Sequence, residues 1–299
     1  MLKFLKYLSS LLLFILVLAF LYHQYSLNKE KKLLTSSIGQ RVEVDGKQMN
    51  VYVAGNGPKT LVFLSGSGTS SPILDFKSLY SKLVKDYRVV VVEKFGYGFS
   101  DDWSKHRDLD TILSQTRKAL QKADVKGPYV LLPHSMSGLE AMHWSASYPK
   151  EVEAIIGLDM SLPQAYDKYR SNRLLYKTLQ LAANLGLSRW LYSPDKEIRS
   201  LSNGSLNPKE KSIYKALFYR CPLSNAVIKE AEEVKSSAKL VKQDKVPAIP
   251  YLLFVSNGQG TGFARKDWQD MSKDFAKDHK NVQLKSFDVP HYIHSYIPD

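Results

Sequence analysis

The sequence predicts an α/β fold: a mostly parallel sheet with helices on both faces, a helical cap insertion, and an N-terminal transmembrane helix. Three observations carry this. Several short runs are apolar almost throughout: TLVFLSG (Thr60–Gly66), RVVVVE (Arg88–Glu93), PYVLLPH (Pro128–His134), VEAIIGLD (Val152–Asp159) and IPYLLFVS (Ile249–Ser256). Such runs read as strands buried on both faces. Stretches of helical periodicity separate them, and strands alternating with helices imply parallel pairing. Between about residues 161 and 245 the β-rich runs stop, leaving only amphipathic helical stretches such as NRLLYKTLQLAANLG and SAKLVKQ.

In chain order, YLSSLLLFILVLAFLY lies uncharged between Lys6 and His23, sixteen residues long. A spanning helix needs roughly 20 residues at about 1.5 Å each, and a helix over about 5–25 fits. A cleaved signal peptide has the same charged start and apolar middle. No small-x-small site follows the run, and no Cys is near it, so an uncleaved anchor is the preferred reading. Lys3 and Lys6 on one side face Lys29, Lys31 and Lys32 on the other. The short tail is expected inside and the main domain on the extracytoplasmic side of the cell membrane. The expected organisation is an anchor over 1–28, a polar linker over 29–40 and a main domain over 41–299, with a helical lid over about 161–245.

VEVDGKQMNVYV (Val42–Val53) alternates about Asp45-Gly46 and reads as a hairpin. Helix is expected up to about Asp86, and over Asp108–Ala123 with Asp108 as N-cap. Further helices are expected over Gly138–Tyr148 and Arg265–His279, and NVQLKSFDV supplies a last strand.

The chain has 299 residues, 44% hydrophobic and 24% charged, and a net charge of +13 spread along its length. A nucleic-acid binder would carry a basic stripe on a recognisable module, and neither is present. The single cysteine, Cys221, excludes an internal disulfide framework and a Cys-based zinc site. No cofactor or metal is expected.

The sharpest local signal is LLPHSMSG (Leu131–Gly138), at a junction of strand and helix. A nucleophilic serine in such a place sits on a tight turn that projects its hydroxyl above the sheet and crowds the positions two before and two after it. With Ser135 as nucleophile those positions are Pro133 and Ser137. With Ser137 as nucleophile, Leu139 would fall where a small residue is needed. Ser135 is therefore preferred over Ser137.

With three further segments, this junction resembles the α/β-hydrolase superfamily over about residues 40–299. LSGSG (Leu64–Gly68) is similar to the family's HG-x loop, with Ser65 for histidine. EKFGYGFSD (Glu93–Asp101) is similar to the D-x-x-G-x-G-x-S loop, HSMSG to the H-S-M-G-G turn, and VPHYIH (Val289–His294) to the G-H-F-x-H segment. The resemblance implies a Ser–acid–His triad, with His291 as general base and His294 as a nearby packing or hydrogen-bonding residue. It implies an oxyanion hole built from the backbone N–H groups of Ser67 and Met136.

The acid departs from the pattern. Most members place it after the seventh strand, but FVSNGQGTGF holds no carboxylate, and Asp267 lies in the next helix. Asp159, closing the sixth strand, is a position that some members use instead. It is taken as the acid, with Asp101, Asp102 and Asp288 as lesser candidates and lid capping as its alternative role. Members also carry a last helix after the histidine segment. This sequence stops soon after, so either it is truncated or that sheet edge lacks a cover.

The function so implied is a serine hydrolase cleaving a carboxylic ester or related acyl substrate through an acyl-enzyme. The alternatives are a catalytically silent, membrane-tethered binding protein on the same fold, or an acyltransferase or peptidase with the same triad. The partners implied are a small-molecule or lipid-like acyl substrate and, through the N-terminal helix, the membrane.

Overall fold

The computed structural model describes residues 1–299, with the Leu2 side chain left aside. Eight strands are present: β1 (Gln40–Val44), β2 (Lys47–Ala54), β3 (Thr60–Leu64), β4 (Arg88–Glu93), β5 (Tyr129–Pro133), β6 (Val152–Leu158), β7 (Tyr251–Val255) and β8 (Val282–Ser286). They form one sheet in the order β1-β2-β4-β3-β5-β6-β7-β8. The β1–β2 and β2–β4 pairs are antiparallel, and every pair from β4 to β8 is parallel. The Asp45-Gly46 turn has both residues at positive φ, 51° and 78°, the conformation a two-residue hairpin asks for.

Successive strand side chains point to opposite faces, and because β3–β6 are apolar at nearly every position, two cores form. On one face Val62, Leu64, Val90, Val92, Leu131 and Ile155 pack beneath α4 (Leu109–Lys122), α5 (Ser137–Ser147), α11 (Asn225–Gln243) and α12 (Arg265–Asp278). On the other, Leu61, Phe63, Val89, Val91, Leu132 and Leu158 meet Ile73, Tyr80 and Ile293. Those last three belong to α2 (Pro72–Asp75), α3 (Lys77–Leu83) and α13 (Ile293–Tyr296). Each such side chain contributes about 1.5–3 kcal/mol when fully buried. Loops leaving the carboxyl ends of β3, β5 and β6 therefore start from a rigid base. The segment after His291 returns to the sheet as α13, with Ile293 and Ile297 in the second core.

Asp108 caps α4 by accepting a hydrogen bond from the Thr111 N–H at 2.7 Å. Residues 163–243 hold helices only: a 3-10 turn over Pro163–Tyr166, then α6 (Arg173–Asn184), α7 (Ser188–Leu191), α8 (Pro194–Glu197), α9 (Arg199–Ser202), α10 (Pro208–Arg220) and α11. Pro194, Gly186 at φ 86° and Gly204 at φ 86° punctuate the short middle pieces.

The N-terminus departs from expectation. Helix α1 runs over Leu2–Glu30 and passes into a 3-10 turn at Lys31–Leu34, so half of the segment expected as a linker is helical. Tertiary contacts explain it. Arg189 forms a bidentate ion pair with Glu30 at 2.8 and 2.6 Å, and Leu33 and Leu34 pack on a small core that includes Tyr214 and Leu217 of α10.

Candidate active site

Three carboxyl-terminal strand ends build the site. After β5, Ser135 has φ +55°, a conformation that costs a non-glycine residue of order 1–3 kcal/mol. The turn is braced on all sides. His134 N–H donates to Leu64 O at 2.9 Å, and Ser135 O accepts from Gly138 N–H at 3.0 Å and Ser161 N–H at 2.8 Å. Pro133 is tolerated in an inner strand because it is the last residue of β5, and the ladder resumes at His134. Gly138 is compulsory, since a Cβ there would lie 2.3 Å from Ser161 O.

Ser137 is buried, with its hydroxyl 2.7 Å from Leu64 O and 2.9 Å from His134 O. It fastens the turn and does not line the cavity that holds His291. Ser135, by contrast, lines a cavity of about 500 Å³ with Ser67, Tyr166, Trp268, His291 and Tyr292. Its hydroxyl makes no hydrogen bond among the described residues.

After β6, Asp159 also has positive φ, 52°, which Asp tolerates better than most residues. Its buried carboxylate accepts three hydrogen bonds. Oδ2 lies 2.5 Å from His291 Nδ1, while Oδ1 accepts from Ser256 N–H at 2.7 Å and from the Trp268 indole N–H at 2.8 Å. The loop after β7, which lacks a carboxylate, thus contributes a backbone donor to the carboxylate of β6. Because Nδ1 is engaged by an acceptor, the imidazole carries its proton there and presents Nε2 as a lone pair. His291 is positioned by its own N–H donating to Gln259 O at 2.9 Å and by Trp268, edge-on at 5.7 Å between centroids.

After β3, the Ser65–Gly68 loop crosses Ser135 closely. A Cβ on Gly66 would stand 2.7 Å from Ser135 Cβ and 3.1 Å from His134 Nδ1. Ser67 follows at the cavity wall, and the Met136 N–H lies at the head of α5. Among the described residues neither N–H is engaged by a backbone acceptor.

Of the other candidate histidines and carboxylates, His134 packs against His291, and His294, Asp101, Asp102 and Asp288 are engaged elsewhere. His134 is sandwiched with His291, Tyr292 and His294, centroids 4.6, 4.7 and 4.8 Å away. Its Nε2 lies 3.3 Å from His291 O, so this nitrogen donates. Burial, reinforced by the two histidine neighbours, pushes its pKa well below the ordinary value and keeps it neutral. His294 Nε2 is 3.1 Å from Asp75 Oδ2. Asp101 pairs with Arg41 at 2.5 Å, Asp102 accepts from the first N–H groups of α11, and Asp288 pairs with Arg265 at 3.1 Å. None of the three reaches His291. Among the described residues no group of three or more His, Cys, Asp or Glu side chains is arranged to hold a metal ion.

Sequence reasoning missed Trp268 and Ser256. Trp268 lies 109 positions from Asp159, and no local pattern announces that pairing.

The family of the alpha/beta hydrolase fold matches residues 59–283, and this chain belongs to it. The uncharacterized protein YbdG of Bacillus subtilis (strain 168) is 37% identical over 299 residues, covering 98% of this chain and 91% of that protein. Among solved structures, Cfl2 from Burkholderia cenocepacia superposes with a TM-score of 0.67 at 17% identity, over 87% of this chain and 91% of that one. The enol-lactonase from Burkholderia xenovorans LB400 gives 0.62 at 13% identity, over 85% and 94%. The Bacillus megaterium epoxide hydrolase gives 0.63 at 13% identity, over 87% and 95%. Family and fold support a hydrolase acting on a small-molecule substrate.

Proposed function

We propose that the chain is a serine hydrolase that cleaves a carboxylic ester or a related acyl substrate through an acyl-enzyme. One observation supports this above the others: the buried 2.5 Å pairing of His291 with Asp159, on the wall of the cavity that Ser135 also lines. In this reading His291 Nε2 removes the Ser135 proton as Oγ attacks the acyl carbon. Negative charge on the carbonyl oxygen is met by the N–H groups of Ser67 and Met136. Collapse of the tetrahedral intermediate breaks the acyl–oxygen bond, and the imidazolium returns its proton to the leaving alcohol. Water then repeats the cycle against the acyl-serine. Asp159 stabilises the imidazolium and fixes its tautomer, and Trp268 and Ser256 orient Asp159.

A fluorescent alkyl phosphonate tests the proposal directly. The full-length protein should be labelled covalently, with labelling abolished in Ser135→Ala, slowed by several orders of magnitude in His291→Ala, and retained in Ser137→Ala. Labelling of Ser135→Ala at the parent rate refutes it.

The same proposal places α1 in a membrane as an uncleaved anchor. Its apolar residues from Phe4 to Ile15 are exposed, and its mean hydropathy over the best 18-residue window is 2.4. With the short N-terminal tail inside, the catalytic domain faces the extracytoplasmic side. Intact mass of the membrane-extracted protein tests this, since a chain shortened by about the length of a signal peptide would remove the anchor.

A further inference from the structure

Helix α6 turns its leucines outward. At 100° per residue Leu174, Leu175, Leu179 and Leu181 share one side, and all four are exposed, Leu174 at 78%. The opposite side holds the helix to the domain: Ala183 is buried, Tyr176 OH meets Tyr169 OH at 2.6 Å, and Gln180 donates to Leu223 O at 2.7 Å. Helix α7 follows with Trp190 at 67% and Leu191 at 81% exposed. Arg173 and Lys177 run along one edge of the apolar stripe and are exposed, Arg173 lying 3.4 Å from Glu232, and Arg170, also exposed, precedes the helix. The pattern is a basic amphipathic helix, the form that lies in the plane of a lipid surface.

What covers this face is indicated by its neighbour. The loop before α7 rests on α1: a Cβ on Gly186 would meet Ala19 O at 2.8 Å and His23 Cβ at 2.6 Å. Trp190 packs edge-on against Tyr22 at 5.7 Å, and Arg189 reaches His23 at 2.9 Å as well as Glu30. The domain thus grips the last turn of the apolar run, three residues before its end. Those sixteen residues span about 24 Å at about 1.5 Å per residue, short of the hydrocarbon core of about 30 Å. Immersing the whole run therefore draws α7, and α6 with it, down to the bilayer surface.

We infer that the outer face of α6 and α7 (Leu174, Leu175, Leu179, Leu181, Trp190 and Leu191) is seated in the bilayer that α1 crosses. This rests on the anchored reading of α1. A second cavity, of about 390 Å³, is lined by Tyr192, which directly follows Leu191, and by Phe218, Tyr296 and His291. An acyl chain leaving the lipid beside α7 enters there and meets the imidazole, so the substrate class is a membrane-resident amphiphile.

Nitroxide labels on the full-length protein in phosphatidylcholine–phosphatidylglycerol vesicles test the seating. In a Cys221→Ser background, cysteines replace Leu12, Leu174, Leu181, Leu191 or Lys122, one at a time. Collision rates with dissolved oxygen and with a water-soluble nickel chelate are then compared. The expected result is oxygen-rich, nickel-poor signals at 12, 174, 181 and 191, and the reverse at 122. Labels at 174, 181 and 191 that match 122 while Leu12 reads as lipid overturn the seating and leave the anchor intact. A water signal at Leu12 overturns the anchor. Because the seating is drawn from that anchor, it falls with it.

Discussion

Replacing Asp159 by asparagine tests the catalytic reading through a single atom. In the native site Oδ1 accepts from Ser256 N–H and Trp268 Nε1–H, leaving Oδ2 to accept from His291 Nδ1–H. An asparagine keeps both donors satisfied only with its own oxygen at the Oδ1 position. Its NH2 then occupies the place of Oδ2 and donates towards His291. The imidazole must offer a lone pair there, which moves its proton to Nε2, the nitrogen that should take the Ser135 proton. Turnover should fall by about 10³–10⁴, the scale of amide replacement of a triad aspartate, or about 4–5.5 kcal/mol in the barrier at about 1.36 kcal/mol per decade. Packing is nearly unchanged, so Tm should shift little. The assays are hydrolysis of a chromogenic short-chain ester and the phosphonate labelling rate, beside thermal unfolding in detergent. Less than a tenfold loss with an unchanged Tm refutes the reasoning, and Asp159 then only ties β6 to α12.

Trp268→Phe keeps an aromatic ring against His291 but removes one of the two donors to Asp159 Oδ1. A hydrogen bond to a charged group is worth about 1.5–3 kcal/mol, so steady-state kinetics should show kcat lowered about 10- to 100-fold with KM little altered. Ser137→Ala removes the hydroxyl that fastens the turn to Leu64 and His134. It should cost about 1 kcal/mol of stability, read as a lower Tm, while labelling of Ser135 persists. His134 is held neutral with its pKa well below 6.5 by burial and by His291 and His294. The unfolded chain therefore takes up that proton first as pH falls through 6.5, and stability present above that pH is lost below it. Tm should drop on acidification, and His134→Gln should shrink the drop; an identical drop in the variant contradicts the assignment.

Strand positions were legible because β3–β6 are apolar on both faces and so stand out without any alternation. The Asp45-Gly46 turn and the Asp108 cap were legible because their chemistry is local. Ser135 was preferred over Ser137 on crowding, and the structure places Ser135 on the cavity that His291 also lines while the Ser137 hydroxyl is tied to Leu64 O and His134 O. The surroundings of Asp159 could not be read in the same way. Its two donors come from a backbone N–H in the β7 loop and an indole on α12, and neither leaves a signature at the position it serves. Asp267 drew attention as a carboxylate, yet the next residue, turned about 100° on the helix, is the one that faces the site. The helical continuation through Leu34 escaped because KEKKLL reads as polar linker until Arg189, distant in sequence, supplies the partner for Glu30.

For the membrane-anchored enzyme proposed above, that continuation changes what governs the rate. A flexible twelve-residue tether over 29–40 would let the domain wander about 17–21 Å from its anchor and sample solutes in the surrounding water. With Glu30 clamped to Arg189 and α1 passing into the body through Lys31–Leu34, an anchored domain has no such freedom of height or tilt. Its encounters with an amphiphile are then set by lateral diffusion within one leaflet. Velocity should saturate with the mole fraction of substrate in that leaflet, and diluting the same vesicles in buffer should leave it unchanged.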